Sequence, residues 1–491
     1  VVETGAMRSD APVPLRHHPR LLVAGLSIVV LTVAVLQTAV VPVLGIIAEQ
    51  LHASILGVSW AVTANLLAAV AATPLIGRLA DLHRKKTVLL VVLAVVLAGS
   101  LLAALTTSLA LLIVGRVLQA AAYGLYPISI AILRDELPED RLMSAMAVLS
   151  GTLGFGGGTG LVVVGLLMNG HAGYHRVFWL TTVFTVVVIA IAMLVVPRRG
   201  RSSDGTIDWL GAIGIAAGLS AVLLAVTQGN SWGWLSPATL ACAGVGVALL
   251  LAWWWWERRV TQPLVSTKML ARRPILLTNV ATIFVGMGLY FAFLGLTQFV
   301  QIPRGPAGYG FGATVLEASV VYLLPGAVTG FLIALVSGRF IDRFGARPVL
   351  VIAAVAGIAG FLFVAFAHSQ TWQVIVAGIL ANAYISLGYG ALPALVVSEV
   401  DAGETGVATS MNAIARTIGS SLAAALVAVL LSQLVAGTAV PLESSFIAIF
   451  VGGAATAALA MVLIAFSRPG TGAADSVEAR YETRAMNHEW G

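Results

Sequence analysis

The chain has 491 residues, of which 59% are hydrophobic and 10% charged. A soluble domain carries about 25% charged residues, so that class is excluded. The net charge of +6 reads as a loop bias toward anionic lipid rather than as a nucleic-acid footprint. A lone cysteine, Cys242, excludes an intrachain disulfide and a cysteine metal site.

A hydrocarbon core of about 30 Å needs about 20 apolar residues per helix, and the chain supplies about fourteen such runs. Residues 21–48 give span 1, 50–77 span 2, and 87–105 span 3, which the turn Thr106-Thr107-Ser108 separates from span 4 at 109–133. Spans 5 and 6 follow at 142–168 and 177–196. The uncharged stretch 209–256 is too long for one helix, and the polar run Gln228 to Gly233 is expected to divide it into spans 7 and 8. Spans 9 and 10 lie at 275–300 and 314–337. The stretch 348–398 holds spans 11 and 12, split at His368-Ser369-Gln370-Thr371, and spans 13 and 14 lie at 406–432 and 444–466. Segments 1–20 and 468–491 are expected to be cytoplasmic, the latter disordered. If the loops are numbered alternately inside and outside, Arg176 and Arg304 fall on one side and Arg116 and Arg416 within spans. Every other Lys and Arg falls in the terminal segments or in loops of the other side. That is the positive-inside asymmetry, with both termini cytoplasmic.

The chain repeats itself. The loop after span 2 reads G-R-L-A-D-L-H-R-K-K-T-V-L from Gly77, and the loop after span 10 reads G-R-F-I-D-R-F-G-A-R-P-V-L from Gly338. Span 5 reads M-A-V-L-S-G-T-L-G from Met146, and span 13 reads M-N-A-I-A-R-T-I-G from Met411. Gly115 and Gln119 map onto Gly378 and Asn382. The matches run in order at nearly constant spacing. They predict two six-helix bundles, 21–200 and 261–467, with spans 7 and 8 (201–260) inserted between them. Parallel repeats of this kind build rocking transporters with the substrate between the halves.

The arrangement resembles the major facilitator superfamily, specifically its 14-span drug:proton antiporter branch, over about 15–467. The resemblance rests first on the paired G-x-x-x-D-x-x-[GR]-x-[KR] loops. It implies that Asp81 with Arg84, Lys85 and Lys86, and Asp342 with Arg339, Arg343 and Arg347, cap neighbouring helix ends and lock the outward-facing state. A carboxylate does favour a helix N-terminus. The alternative is that these loops only set topology. Arg84 stands where the family usually has Gly, whereas the second copy keeps Gly345. G-R-V-L-Q from Gly115 resembles the family's R-x-x-Q-G element, with Ala120 in place of the last Gly. An intramembrane arginine is costly and normally faces a cavity or partner. Arg116 is therefore expected either in proton exchange or as a structural group bonded to backbone carbonyls. The glycines of span 5, Gly151, Gly154, Gly160 and Gly165, resemble the antiporter motif without its Pro and one Gly, and small residues there would let spans approach closely. The acid often found in span 1 of the family is replaced by Leu36.

Few carboxylates remain within spans. Glu317 is expected either as a partly desolvated proton site with a raised pKa or as a helix-start group facing outside. Glu399, Asp401 and Glu404 are read as gate ion pairs and Glu443 as a cap. Expected cavity residues are Gln37, Thr38, Asn65, Gln119, Tyr123, Tyr126, Asn279, Tyr290, Gln298, Tyr322, Asn382, Tyr384, Tyr389, Asn412 and Arg416. Such an aromatic, sparsely charged cavity suits amphipathic, neutral or monocationic molecules.

The expected function is a secondary exporter of hydrophobic or amphipathic small molecules, in exchange for protons, in a bacterial cytoplasmic membrane. A lipid or envelope-component transporter and an uncoupled facilitator are the alternatives. An enzyme is not expected: there is no span-adjacent metal cluster and no nucleophile–base pair. No Gly-Lys-Ser/Thr follows the glycine run, so neither ATP nor another cofactor is expected.

Overall fold

Apolar runs bounded by caps and turn glycines fold as helices in a computed structural model, which describes residues 19–40, 43–168, 173–198, 205–435, 438 and 440–467. The expectations for segments 1–18 and 468–491 lie outside the described residues. Among those described, 14 helices are long and apolar enough to cross a membrane. They are α1 (Pro19–Thr38), α2 (Gly57–Leu82), α3 (Lys85–Leu105), α4 (Leu109–Glu136), α5 (Ser144–Val164), α6 (His175–Val195) and α7 (Trp209–Trp232). The rest are α8 (Pro237–Glu257), α9 (Arg273–Gln301), α10 (Ala318–Ile341), α11 (Ala346–Phe366), α12 (Thr371–Val397), α13 (Thr405–Leu431) and α14 (Glu443–Phe466).

Local chemistry sets the helix ends. Ser54 accepts a hydrogen bond from the N–H of Gly57 at 3.1 Å, Asp208 from Gly211 at 2.9 Å, and Ser236 from Thr239 at 3.2 Å. Each supplies an acceptor to an N–H that the helix itself leaves open. The break expected within 228–233 comes at its last residue: α7 runs through Asn230 to Trp232 and ends where Gly233 takes φ +89°. A polar side chain does not stop a helix, whereas a positive φ does, and glycine reaches it without strain.

The first six spans pack on one another and the last six on one another. Aliphatic side chains such as Leu26, Val30, Leu93 and Leu149 fill the first core. In the second, Phe299 meets Phe446 and Phe450 edge-on at ring separations of 5.4 and 6.1 Å. The two bundles touch where α5 meets α10 and α12 and where α13 meets α2 and α4. Spans α7 and α8 pair as a hairpin, and α7 lies against both α2 and α13. Val70, Leu223 and Ile414 fill that three-way junction. At the end of α8, Arg259 stacks on Trp255 at 3.6 Å, an interfacial aromatic held beside an anchoring charge.

Two spans depart from regular α geometry near the seam, and a third carries a proline inside an unbroken α-helix. In α4 a 3₁₀ stretch covers Ala120–Gly124, just before Pro127. Proline has no N–H to give the carbonyl four residues back, which for Pro127 is that of Tyr123. In α12 Pro393 stands in the same relation to Tyr389. Span α10 opens with a π-turn over Ala318–Leu323, followed by Pro325. Irregular turns of this kind re-aim side chains.

Candidate functional site: a latch at one end and a cavity at the seam

At the end of α2, Asp81 is fully buried. Its Oδ1 accepts from the N–H of Gly406 and its Oδ2 from that of Val407, both at 3.0 Å. These are N–H groups of the first turn of α13, where a carboxylate meets both open donors and the positive end of the helix dipole. The approach depends on Gly77: a Cβ there would lie 2.7 Å from the carbonyl oxygen of Gly406. Arg134, at the end of α4, donates to the carbonyls of Val400 (2.7 Å) and Asp401 (3.2 Å) and to the Thr405 hydroxyl. Two groups of the first half thus hold the start of α13 in the second.

The basic residues of the first loop have separate tasks. Lys85 pairs with Asp135 at 2.6 Å. Lys86 donates to the carbonyls of Met193 and Val196 at the C-terminal end of α6, the end a cation favours. Arg84 is exposed. Of the three, Lys85 acts electrostatically on Asp81, as expected, while also pairing with Asp135. The expectation is corrected for Lys86, which turns to an open helix C-terminus, and for the exposed Arg84. In the second copy, Gly338 repeats the close approach, since a Cβ would lie 2.6 Å from that of Ser144 at the start of α5. The Asp342 side chain lies outside the described residues. Arg339 and Arg343 are exposed, the latter over the Phe344 ring at 5.3 Å, and Arg347 is half-buried.

Between the halves lies a cavity of about 110 Å³. Its polar wall is Gln37, Thr38, Tyr123, Tyr290, Asn382, Tyr389, Arg416, Thr417 and Ser420. Its apolar wall includes Val33, Leu153, Leu289, Phe293, Leu296, Leu323 and Ile385. Gln37 of α1 donates to the Tyr290 hydroxyl of α9 at 3.0 Å, a bond from one half to the other. The Arg416 guanidinium carbon lies 4.8 Å from the Tyr389 ring centre and 5.0 Å from that of Tyr126. The hydroxyls of Tyr123 and Tyr389 are buried and make no hydrogen bond.

Other expected cavity residues are placed elsewhere. Asn65 and Gln119 belong to the surroundings of Arg116. That residue donates to the carbonyls of Leu36 (3.1 Å) and Ala61 (3.2 Å) and to Gln119 Oε1 (2.7 Å), while Asn65 donates to its carbonyl at 2.7 Å. Arg116 is 1% exposed and does not line the cavity, so its geometry is that of the structural alternative. Tyr126 shares a hydrogen bond with Ser150 at 2.7 Å behind the wall. Asn412 donates to Asn279 (3.0 Å) and Thr282 (2.8 Å), fastening α13 to α9. Tyr322 and Tyr384 are packed in the second core, the former 3.4 Å from the Thr371 hydroxyl. Gln298 is exposed on α9. A helical span turns a polar group toward whichever neighbour satisfies it, and most of these found a partner between helices rather than in the cavity.

Glu317 takes the second of its two expected places, an exposed group at a helix start, and not that of a partly desolvated proton site. It is exposed and accepts from the N–H of Thr314 at 2.9 Å and from its hydroxyl at 3.1 Å, while its own N–H donates to the Thr314 oxygen at 3.2 Å. This reciprocal cap holds its carboxyl below the usual range, the bonds from Thr314 outweighing a smaller opposing effect of desolvation. The span-5 glycines serve packing: Gly151 faces Ala334, and Gly160 faces Thr38 and Val35. The surroundings of Gly154 and Gly165 lie outside the described residues. Glu443 accepts from or pairs with His368 at 2.9 Å. Among the described residues no cluster of His, Cys, Asp or Glu would hold a metal ion.

Thr417 and Ser420 are not among the expected cavity residues, whereas Tyr123 and Tyr389 are, without the repeat that pairs them. Thr417 and Ser420 lie on the face of α13 that Arg416 occupies. Tyr123 and Tyr389 each open a Y-G-x-x-P run, Tyr123-Gly124-Leu125-Tyr126-Pro127 and Tyr389-Gly390-Ala391-Leu392-Pro393. That repeat, one copy per half, was the available signal for the pair of tyrosines facing the cavity.

The Major Facilitator Superfamily family model matches residues 26–424 and 306–486. The tetracenomycin C resistance and export protein of Streptomyces glaucescens is 27% identical over 434 residues, covering 85% of this chain and 77% of that one. A multidrug resistance protein B homolog of Mycobacterium tuberculosis is 24% identical over 467 residues, covering 88% and 83%. Among solved structures, the transporter FucP in its outward conformation superposes with a TM-score of 0.61 at 17% identity, covering 92% of this chain and 99% of that one. With fourteen apolar helices, duplicated loops and a cavity at the seam, the chain belongs to the Major Facilitator Superfamily and is a multi-pass membrane transporter, not an enzyme.

Proposed function

We propose that the protein exports hydrophobic or amphipathic small molecules, such as drugs, antibiotics or secondary metabolites, by alternating access to the seam cavity. The observation that carries this reading is the cavity itself. It is largely aromatic and aliphatic, with a few convergent polar groups, and it is walled by both halves. The names of the relatives, an antibiotic export protein and a multidrug resistance homolog, support the direction and the substrate class. In this proposal residues 21–200 rock against 261–467 around the inserted 201–260. The Asp81 end faces the cytoplasm of a bacterial cell, with both termini on that side, because the basic loops gather there.

Export draws on proton exchange in this reading. Each charge moved gains about 2.3 kcal/mol per 100 mV. Asp81 is the carboxylate placed to respond: protonation would weaken both of its bonds to α13 and release the latch. An uncoupled facilitator is the second reading, favoured by the lack of any carboxylate among the residues lining the cavity. Proteoliposomes with an imposed pH gradient and an amphipathic fluorescent dye separate the two. Accumulation that follows the gradient, and is lost in Asp81→Asn, is expected. Flux indifferent to the gradient would establish the facilitator, and the absence of dye flux would end the small-molecule reading in favour of lipid.

A further inference from the structure

We propose that the seam cavity selects amphipathic aromatic anions, a planar apolar body bearing one carboxylate or acidic phenol, with Arg416 as the group that reads the charge. The proposal deepens the export reading and rests on it. It also replaces the expectation of neutral or cationic cargo.

Arg416 is the charged residue of the cavity wall, and no carboxylate among the lining residues balances it. Its surroundings are the π faces of Tyr126 and Tyr389. These steady a cation, and the Tyr126 hydroxyl is within hydrogen-bonding reach of the guanidinium, which leaves the other donors of the fork for an anion in the cavity that Arg416 lines. Arg116 makes the contrast: its donors are occupied by two backbone carbonyls and Gln119. The internal repeat sharpens it. The position of Arg416 in M-N-A-I-A-R-T-I-G is filled in the first half by Gly151 of M-A-V-L-S-G-T-L-G. Gly151 packs against Ala334, so the shared architecture does not itself call for an arginine at this place.

Two further groups converge on the same space. The buried hydroxyls of Tyr123 and Tyr389 have no hydrogen-bond partner, and both residues line the cavity. A phenol O–H can donate to an anionic oxygen, and such charge-assisted bonds are the strong ones. Leu153, Phe293, Leu296 and Leu323 offer an apolar bed for the aromatic body. A cationic ligand in the same cavity would lie near a fixed like charge in a medium that screens it poorly. An anion meets attraction and up to three donors.

The test uses three fluorescent probes of one shape: anthracene-9-carboxylate, its neutral methyl ester, and (9-anthracenylmethyl)trimethylammonium. Binding to the purified full-length protein is followed by fluorescence anisotropy, and flux is followed in proteoliposomes. The wild type is expected to bind the carboxylate at least about tenfold more tightly than the ammonium. Arg416→Gln should bring that ratio close to one, and Arg416→Lys should preserve its direction. The wild-type ratio needs no variant, so a misfolded substitution does not blunt the test. If the ammonium binds as well as the carboxylate, the anion proposal falls while flux of the ester keeps the export reading. If the preference survives Arg416→Gln, the assignment to Arg416 falls. If none of the three binds or crosses, both readings fall together.

Discussion

Asp81 and Gly406 are far apart in the chain, yet the carboxylate of the first accepts the backbone N–H of the second at 3.0 Å across the seam between the two halves. Val407 adds a parallel bond at the same distance. Hydrogen bonds to a charged group contribute about 1.5–3 kcal/mol each, so Asp81→Ala should shift the closed–open equilibrium by at least roughly tenfold. Ser410, buried against Gly77, reports this shift. With Cys242→Ser and Ser410→Cys as background, maleimide labelling at position 410 should quicken by that factor in Asp81→Ala. Equal labelling rates would mean that the latch is held by Arg134 alone.

Arg116 ties three spans together through Leu36, Ala61 and Gln119. Removing its side chain strands acceptors inside the first bundle, at about 1–3 kcal/mol for each one left unsatisfied. Arg116→Ala should therefore lower the thermal midpoint and the monodisperse yield in detergent. Arg116→Lys, with a single ammonium in place of a fork, should recover only part of the loss. A variant with wild-type stability and no gradient-driven flux would instead place Arg116 in proton exchange.

The span count, the repeat and the place of Asp81 were legible because each is written in periodicity or in a motif that repeats. Hydropathy placed the spans, and the paired loops placed Asp81 and Gly77. The direction of each polar side chain was not legible. Asn65, Gln119 and Asn412 have the composition of cavity groups, but each is turned toward a neighbouring helix by a hydrogen bond between distant residues. Periodicity within one helix carries no information on which neighbour satisfies it. The helix stop at Gly233 and the reciprocal cap of Thr314 with Glu317 depend on backbone geometry, which composition describes only loosely.

That cap gives a pH prediction. The Glu317 pKa is lowered, chiefly by the N–H of Thr314. A depressed carboxyl contributes its stabilisation above its unfolded value and loses it as pH falls through the folded one. The cap is therefore complete at neutral pH and is lost only below the ordinary glutamate range of about 4.3. Glu317→Gln should leave the size and pH profile of gradient-driven flux between pH 6 and 8 unchanged. A flux that loses its gradient dependence in this variant would return the proton site to the start of α10.

The orphaned tyrosine hydroxyls offer a sharper separation of stability from function. Tyr123, Tyr384 and Tyr389 each bury an O–H without a partner, which costs folding about 1–3 kcal/mol relative to a satisfied group. Replacing each by Phe removes the unpaired group and keeps the ring. The thermal midpoint should hold or rise in all three variants. Transport should divide them: Tyr123→Phe and Tyr389→Phe, which alter the cavity wall, should weaken probe binding several-fold. Tyr384→Phe, packed in the second core between Gly288 and Gly357, should leave binding unchanged. Equal losses of binding in the three variants would show a general response of the aromatic core. Stability that falls with binding would show that the two cavity hydroxyls hold structure rather than substrate.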